Sequence, residues 1–290
     1  MSLSYLNILK KSWDGFKRNP VLILPLFVGL ALFIGFLLVV GLEVLVFIII
    51  FSKSVLSDPM SVLTSTKGIL LIVFFSMTDL VFVWMISSYI KAMQIGMYLD
   101  VTKNQKTTSE AMFKYGKRFF KVYFKYQLAK FVMFIVPILV LASVVYLCYL
   151  ASKILAIIIG VLALLLLLGY ITFIGFGLFF IEPMIVTERK GLVALLKQSV
   201  DYSMKNLGHV IITGGIIIII TMCVGLIMYV IKVPVSFFIK ILEMAGSVGP
   251  IVFLYGLGFL LEIIMGIVNV VLGIVLGLFV FNAYFAKKKR

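Results

Sequence analysis

Six stretches of this chain are too long and too apolar to be buried elements of a water-soluble fold. The first, residues 21–51, contains a single ionisable side chain, Glu43. A helix needs about 20 apolar residues to cross a bilayer, and backbone groups in hydrocarbon must all be bonded within the segment. The remaining stretches fall at 68–99, 127–151, 154–181, 210–231 and from 250 to the basic tail. The composition agrees: 63% of 290 residues are hydrophobic, and the mean hydropathy is +1.25. The expected fold is therefore all-α and polytopic, one membrane domain over 1–290. The first twenty residues are amphipathic and charged, and 21–51 is too long for the apolar core of a signal peptide, so no cleavable leader is expected.

The polar stretches between the spans carry the organisation. ILKKSWDGFKRN (8–19) aligns without a gap on LLKQSVDYSMKN (195–206). The alignment pairs Lys10 with Lys197, Ser12 with Ser199, Asp14 with Asp201, Arg18 with Lys205 and Asn19 with Asn206. A weaker copy runs through 100–125, where Val101-Thr102 matches Val186-Thr187. The pattern predicts one unit used three times, an interfacial amphipathic helix followed by two spans, over about 1–100, 101–182 and 183–290.

In residues 1–19, Leu6, Leu9, Trp13 and Phe16 recur at spacings of three and four, and Asn7, Lys10, Lys11, Asp14, Lys17 and Arg18 fill the other side. That is the pattern of a helix lying in the membrane interface, with Trp13 at headgroup level. Asn19-Pro20 should end it, because the residue before proline avoids the α region. Thr107 with Glu110 fits a capping box and predicts a helix from about Ser109, with Met112, Tyr115, Phe119 and Val122 on one face. Val193, Leu196 and Val200 repeat the apolar face of the first helix. Asp58-Pro59 marks a turn between the first two spans. Residues 233–249 read as a short amphipathic piece of their own.

The net charge of +15 is distributed as membrane topology rather than as a nucleic-acid face. Residues 1–20, 100–126, 182–208 and the tail hold four, seven, four and four Lys or Arg, nineteen together, against Lys53, Lys67, Lys153, Lys232 and Lys240 on the other side. The positive-inside rule places both termini in the cytosol. No dense basic face with stacking aromatics is present, so no nucleic-acid partner is expected. Cys148 and Cys223 fall inside spans, without metal-ligand spacing, and read as packing residues.

The phrase FIEPMIVTERKGLVALLKQSVDYSMKNLG, with the echo of its S-x-D core at 8–19, resembles the membrane domain of glycerophosphoryl diester phosphodiesterases. It also resembles related six-span prokaryotic membrane proteins of unassigned function. Pro183, Val186, Glu188, Ser199, Lys205 and Asn206 stand at the positions that carry the likeness. The resemblance implies a multi-pass protein of a prokaryotic plasma membrane. The phosphodiesterase itself resembles metal-dependent hydrolases with paired histidines. This chain has one histidine, His209, so the resemblance implies the membrane module alone and transfers no catalytic residue.

Three acids lie within apolar stretches: Glu43, Asp79 and Glu262. A charge at the centre of a bilayer costs roughly 2.5–3.5 kcal/mol on insertion scales, which makes each a candidate for function. All three fall in the outer half of their spans and are expected to line one outward-facing cavity. Placement near the outer headgroups is the simpler alternative. The cytosolic helices form a second candidate surface, comprising Lys10, Trp13, Asp14, Lys197, Ser199, Asp201, Asn206 and His209, with His209 expected to be interfacial and solvated. Gly273 and Gly277 form a small-xxx-small pair suited to close helix packing.

No HExxH, GxSxG, Ser/Lys dyad or paired metal-ligand set is present, so neither an enzyme nor a cofactor is expected. Two functions compete. One is binding or transport of a lipid or small amphiphile, with anionic headgroups gathered at the cytosolic face. The other is an assembly role, in which the cytosolic helices dock a protein partner or a second copy.

Overall fold

The computed structural model describes residues 4–51, 60, 62, 65–188, 190–244 and 248–288, with the side chains of 243–253 excepted. The expected turn at Asp58-Pro59, the side chain of Glu243 and the tail residues Lys289 and Arg290 lie outside the described residues. Nine helices are described here: α1 (Tyr5–Arg18), α2 (Leu24–Ile50), α3 (Thr66–Asn104), α4 (Ser109–Ala151), α5 (Lys153–Gly177), α6 (Ile181–Thr187), α7 (Leu192–Lys205), α8 (Leu207–Met244) and α9 (Val248–Lys288). Among the described residues there is no strand. Six helical segments are long and apolar enough to cross a membrane: Pro20–Ile50, Thr66–Asn104, Ser109–Ala151, Lys153–Thr187, Leu207–Leu242 and Leu254–Lys288.

Local chemistry sets the helix ends. Ser4 caps α1, its hydroxyl accepting from the Asn7 amide at 3.5 Å, and Asn19 closes it in a non-helical conformation (φ −133°). A 3₁₀ turn at Pro20–Ile23 then leads into α2. Proline suits this first turn because its missing N–H has no partner to lose there. α4 starts where expected, but its cap is Thr108, whose hydroxyl accepts from the Ala111 amide at 3.2 Å, and not Thr107.

Three sequence expectations are corrected. Residues 109–126 do not form a separate interfacial helix, because α4 runs unbroken from Ser109 to Ala151. Residues 233–244 continue α8, with Pro234 inside the helix, instead of forming a piece of their own. In α4 the protein-facing side comprises Met112, Gly116, Phe119, Tyr123 and Tyr126, while Tyr115 and Val122 are half-buried. Gly116 shifts the face because its lack of a side chain lets another helix approach.

By Cα packing the chain forms two compact units, neither contiguous in sequence. One comprises residues 1–23, 98–106 and 172–290, and the other 24–97 and 107–171. In the second unit α3 packs closely on α4. A Cβ on Gly116 would stand 2.7 Å from Met93 Cγ, and one on Gly96 would overlap the Tyr115 ring. Trp84 meets Phe131 edge-on at 4.7 Å between centroids, and the Tyr170 hydroxyl donates to Met133 O at 2.9 Å to tie α5 to α4.

The first unit is built on α9. α1 and α8 both pack against it. Gly277 allows the approach of α3, since a Cβ there would lie 2.5 Å from the Tyr98 ring. Gly273 has open space around its Cβ position, so one half of the expected small-residue pair is used in packing within this unit. Tyr284, Phe180, Phe279, Phe281 and Leu195 are fully buried in its core.

Candidate functional site

α1 and α7 present similar faces to the protein. In α1 the covered side is Ile8 and Ser12, and in α7 it is Leu195, Ser199 and Ser203. The apolar side read from the sequence stays largely uncovered: Leu6 and Val193 are each 79% exposed and Trp13 42%. An amphipathic helix has only two sides to distribute. Here one aliphatic residue and the serines of each helix face protein, while Leu6, Trp13 and Val193 point away from it.

The two helices also end alike. Asn19 Nδ2 donates to Gly15 O at 2.8 Å, and Asn206 Nδ2 donates to Tyr202 O at 2.9 Å. The Asn19 amide donates to Phe16 O, and the Asn206 amide to Ser203 O, its aligned equivalent. After each Asn, the third residue on, Leu22 or His209, donates back to the Asn carbonyl. Asn19 Nδ2 also reaches Gln105 O at 3.1 Å, where the chain leaves α3 in the left-handed region at φ 60°.

The aligned serines bond differently. Ser12 Oγ donates to Ile8 O at 2.8 Å in its own helix and accepts from Asn282 Nδ2 on α9 at 3.0 Å. Ser199 Oγ donates to Gly177 O at the end of α5, at 2.9 Å. Both are fully buried. Lys197 and Asp201 lie on the exposed side of α7.

His209 is not solvated, which corrects the sequence reading. It is 7% exposed, stacks on Phe180 at 5.4 Å with the rings 13° apart, and holds two hydrogen bonds. Nε2 lies 3.2 Å from Ala283 O, and Nδ1 lies 2.7 Å from the Tyr5 hydroxyl. A carbonyl can only accept, so Nε2 carries the proton and Tyr5 donates to Nδ1. Burial pushes the Tyr5 phenol above its ordinary value. Phe180, Tyr202 and Tyr284 complete the aromatic cluster. The Tyr202 phenol is pushed up to about 12 by burial and by neighbouring Tyr284.

On its apolar side α1 borders an open groove of about 720 Å³. Leu6, Leu9 and Trp13 form one wall, and Ile220 and Val224 of α8 with Leu272 of α9 are among the residues of the other. Lys10 stands at its edge and also lines a polar cavity beside Lys11, Asp14 and Arg18. Lys17 Nζ sits over the Trp13 ring at 5.3 Å from its centroid.

The three candidate acids divide between the units. Glu43 on α2 and Asp79 on α3 lie near each other in the second unit. Glu262 lies in the first, where Lys232 Nζ is 2.8 Å from its Oε1. Sequence reading missed this pairing because the partners are 30 residues apart on different helices. It also passed over Asn282, whose signal was available: a lone amide within the apolar run FVFNAYF. Among the described residues, no group of three His, Cys, Asp or Glu side chains could hold a metal ion.

These features define a helical chain with six potential membrane spans and an uncovered apolar side on α1 bordered by lysines. No family model matches the chain, and no curated protein or solved structure matches it either.

Proposed function

We propose that this multi-pass membrane protein binds an anionic lipid or similar amphiphile along α1, without catalysing a reaction. The observation that carries this reading is the position of Lys10 on the shared edge of the apolar groove and the polar cavity. An amphiphile needs both environments side by side, and about 720 Å³ falls within the roughly 300–1,000 Å³ typical of small-molecule sites. Each cation near an anionic surface adds about 1 kcal/mol of attraction. The uncovered apolar sides of α1 and α7 suit helices resting in the cytosolic interface of a prokaryotic plasma membrane, with both termini cytosolic. The matching ends of these helices support an internal repeat of interfacial helix and spans. Transport through a cavity shared by Glu43, Asp79 and Glu262 is the weaker reading, because Glu262 already has Lys232 for a partner.

Trp13 makes the proposal measurable. Trp13 and Trp84 are the two tryptophans of the chain, so Trp84→Phe leaves one fluorophore in the groove wall. In nanodiscs, brominated phosphatidylglycerol should quench Trp13 more strongly than brominated phosphatidylcholine at equal mole fraction. Lys10→Glu should remove the difference. Equal quenching by both lipids in the unaltered background would overturn the reading.

A further inference from the structure

In the second unit, α2 and α3 enclose a cleft of about 360 Å³. Its α3 wall includes Val83, Ile86, Ile90, Lys91 and Gln94, whose spacings of three and four put them on one side of the helix. From Val83 to Gln94 this side is about 16 Å long. Leu26 and Phe33 of α2 form the opposite wall, and a Cβ on Gly29 between them would stand 2.6 Å from Ile90 Cδ1. Gly29 meets Ile90 and Glu43 lies near Asp79, so the two helices run antiparallel. Phe33 therefore stands toward the Val83 end, which is apolar, and the polar residues gather toward the other.

Gln94 sets the chemistry. It is only 6% exposed, and its side chain has no hydrogen-bond partner among the described residues. The Ser88 hydroxyl nearby is sealed from solvent, whereas both amide atoms of Gln94 keep accessible surface, and the cavity that Gln94 lines is this cleft. Whichever way the amide stands, it offers two N–H donors and one carbonyl acceptor. Lys91 lines the same end, forms no ion pair among the described residues, and faces a cleft lined by no carboxylate. It falls in the apolar stretch 68–99 of a helix able to span a membrane, where a charge without a counter-ion is costly. Ser87 stands between the polar and apolar ends of the cleft. Its Oγ accepts from Gln127 Nε2 of α4 at 3.4 Å, which leaves its proton to donate.

The protein supplies a cation, three donors and one acceptor here, and no anion. We propose that this cleft holds one anionic phospholipid with a hydroxylated headgroup. The phosphodiester accepts from Lys91 and from a Gln94 N–H, and a headgroup hydroxyl donates to the Gln94 carbonyl. An acyl ester oxygen accepts from Ser87, and the chain beyond it lies along Ile86, Val83 and Phe33. A zwitterionic lipid suits the cleft less well, because its ammonium would find no carboxylate and Lys91 would keep its net charge unmatched. Every residue of the site belongs to the second unit and the α1 groove to the first, so the cleft stands whether or not the groove takes lipid.

Photolabelling of the full-length protein tests it. The probe is phosphatidylglycerol with a diazirine in one acyl chain, dilute in phosphatidylcholine nanodiscs, with adducts mapped by peptide mass spectrometry. Adducts should concentrate on the peptides holding Phe33, Val83 and Ile86. Lys91→Met should lower this labelling about tenfold, as expected for a bond between charged groups, and Gln94→Met about fivefold. Unlabelled phosphatidylethanol, which is anionic but lacks the hydroxyls, should compete about fivefold less well than phosphatidylglycerol. Folding is checked separately. Gln94→Met removes an unpartnered amide, so its melting temperature in lipid-free detergent should not fall, while the rise that phosphatidylglycerol gives the wild type should shrink. Adducts spread evenly over all the apolar helices, or unchanged labelling in both folded variants, would overturn the site. Equal competition by phosphatidylcholine would overturn the anionic assignment, and equal competition by phosphatidylethanol the hydroxyl assignment. Lys10→Glu should leave labelling of the cleft intact. Absence of adducts along α1 with the cleft still labelled would sink the groove and leave this site standing.

Discussion

The Tyr5 hydroxyl donates to His209 Nδ1 at 2.7 Å across 204 residues of sequence, joining the first turn of α1 to the first turn of α8. The bond orients an imidazole whose other nitrogen holds Ala283 O on α9. One side chain thus fixes three helices of the same unit. The same contact places Leu6, one residue further along α1, at the groove, so packing around His209 bears directly on the proposed lipid site.

Tyr5→Phe removes this bond while keeping the ring, and should cost about 1 kcal/mol. His209→Ala removes the stacking on Phe180 as well and leaves the Tyr5 hydroxyl without its acceptor, so roughly 2–4 kcal/mol is expected. The double variant should be only slightly worse than His209→Ala, since the hydrogen bond is already gone. Reversible unfolding in mixed detergent micelles would measure all three. Additive losses would show that the two residues act separately.

Gly277 and Gly273 look equivalent in the sequence and are opposite in the structure. A Cβ at 277 meets the Tyr98 ring at 2.5 Å, and one at 273 meets nothing within 4 Å. Gly277→Ala should cost about 1–3 kcal/mol by overpacking. Gly273→Ala should be neutral or slightly stabilising, because alanine loses less backbone entropy in a helix than glycine. Thermal unfolding of the two variants gives the comparison, and equal shifts would contradict the packing described for α3 and α9.

The difference between these glycines shows what could be read in advance. The apolar stretches located the six long helices, because hydropathy needs no knowledge of neighbours, but not the start of α4 or the end of α8, which run on into polar sequence. The gapless alignment of 8–19 with 195–206 anticipated the matching ends at Asn19 and Asn206, because those bonds are local. Whether Ser12 meets α9 or Ser199 meets α5 depends on contacts between distant segments, which periodicity does not encode. The same holds for His209: next to a glycine at the start of an apolar run it reads as interfacial, and only the arrival of Tyr5 and Ala283 buries it. In α4 the apolar periodicity predicts Met112 and Phe119 correctly but places Tyr115 and Val122 where Gly116 and Tyr123 face protein, because a glycine carries no hydropathy signal for the close approach it allows.

Glu188, just past α6, lies 2.7 Å from Lys288 Nζ, and that hydrogen bond holds its carboxyl below its ordinary value near 4.5. A depressed carboxyl contributes stability above its unfolded pKa and loses it as the pH falls through the folded value. The melting-temperature gap between wild type and Glu188→Gln should therefore be constant above about pH 5.5 and close below pH 4.5. Lys288 is 47% exposed, so the gap corresponds to at most about 1 kcal/mol. A gap that widened on acidification would contradict the pairing.

The proposed orientation is open to labelling. After replacement of Cys148 and Cys223, single cysteines at Ser57 and Lys190 should respond oppositely to an impermeant maleimide in sealed cells. Ser57→Cys should react from outside, and Lys190→Cys only after permeabilisation. The reverse pattern would invert the topology and place α1 and α7 on the external face.

The pair of Lys232 on α8 and Glu262 on α9 yields the last prediction. Both lie in helical segments able to span a membrane, and both side chains are about half uncovered by protein. Outside protein, those surfaces meet lipid or headgroups, where an isolated charge is costly and a neutralised pair is less so. Removing one partner should therefore do more harm than removing both. Lys232→Met strands Glu262, and Glu262→Gln strands Lys232. Each single variant should lower the melting temperature in nanodiscs, and the double variant should recover most of the loss. The recovery should shrink in short-chain detergent, where water reaches the pair and a lone charge is solvated. Additive losses in the bilayer would mean that the two groups sit in headgroup water as independent charges. A recovered double variant would instead assign Glu262 to joining α8 and α9, which is the role its 2.8 Å contact supports.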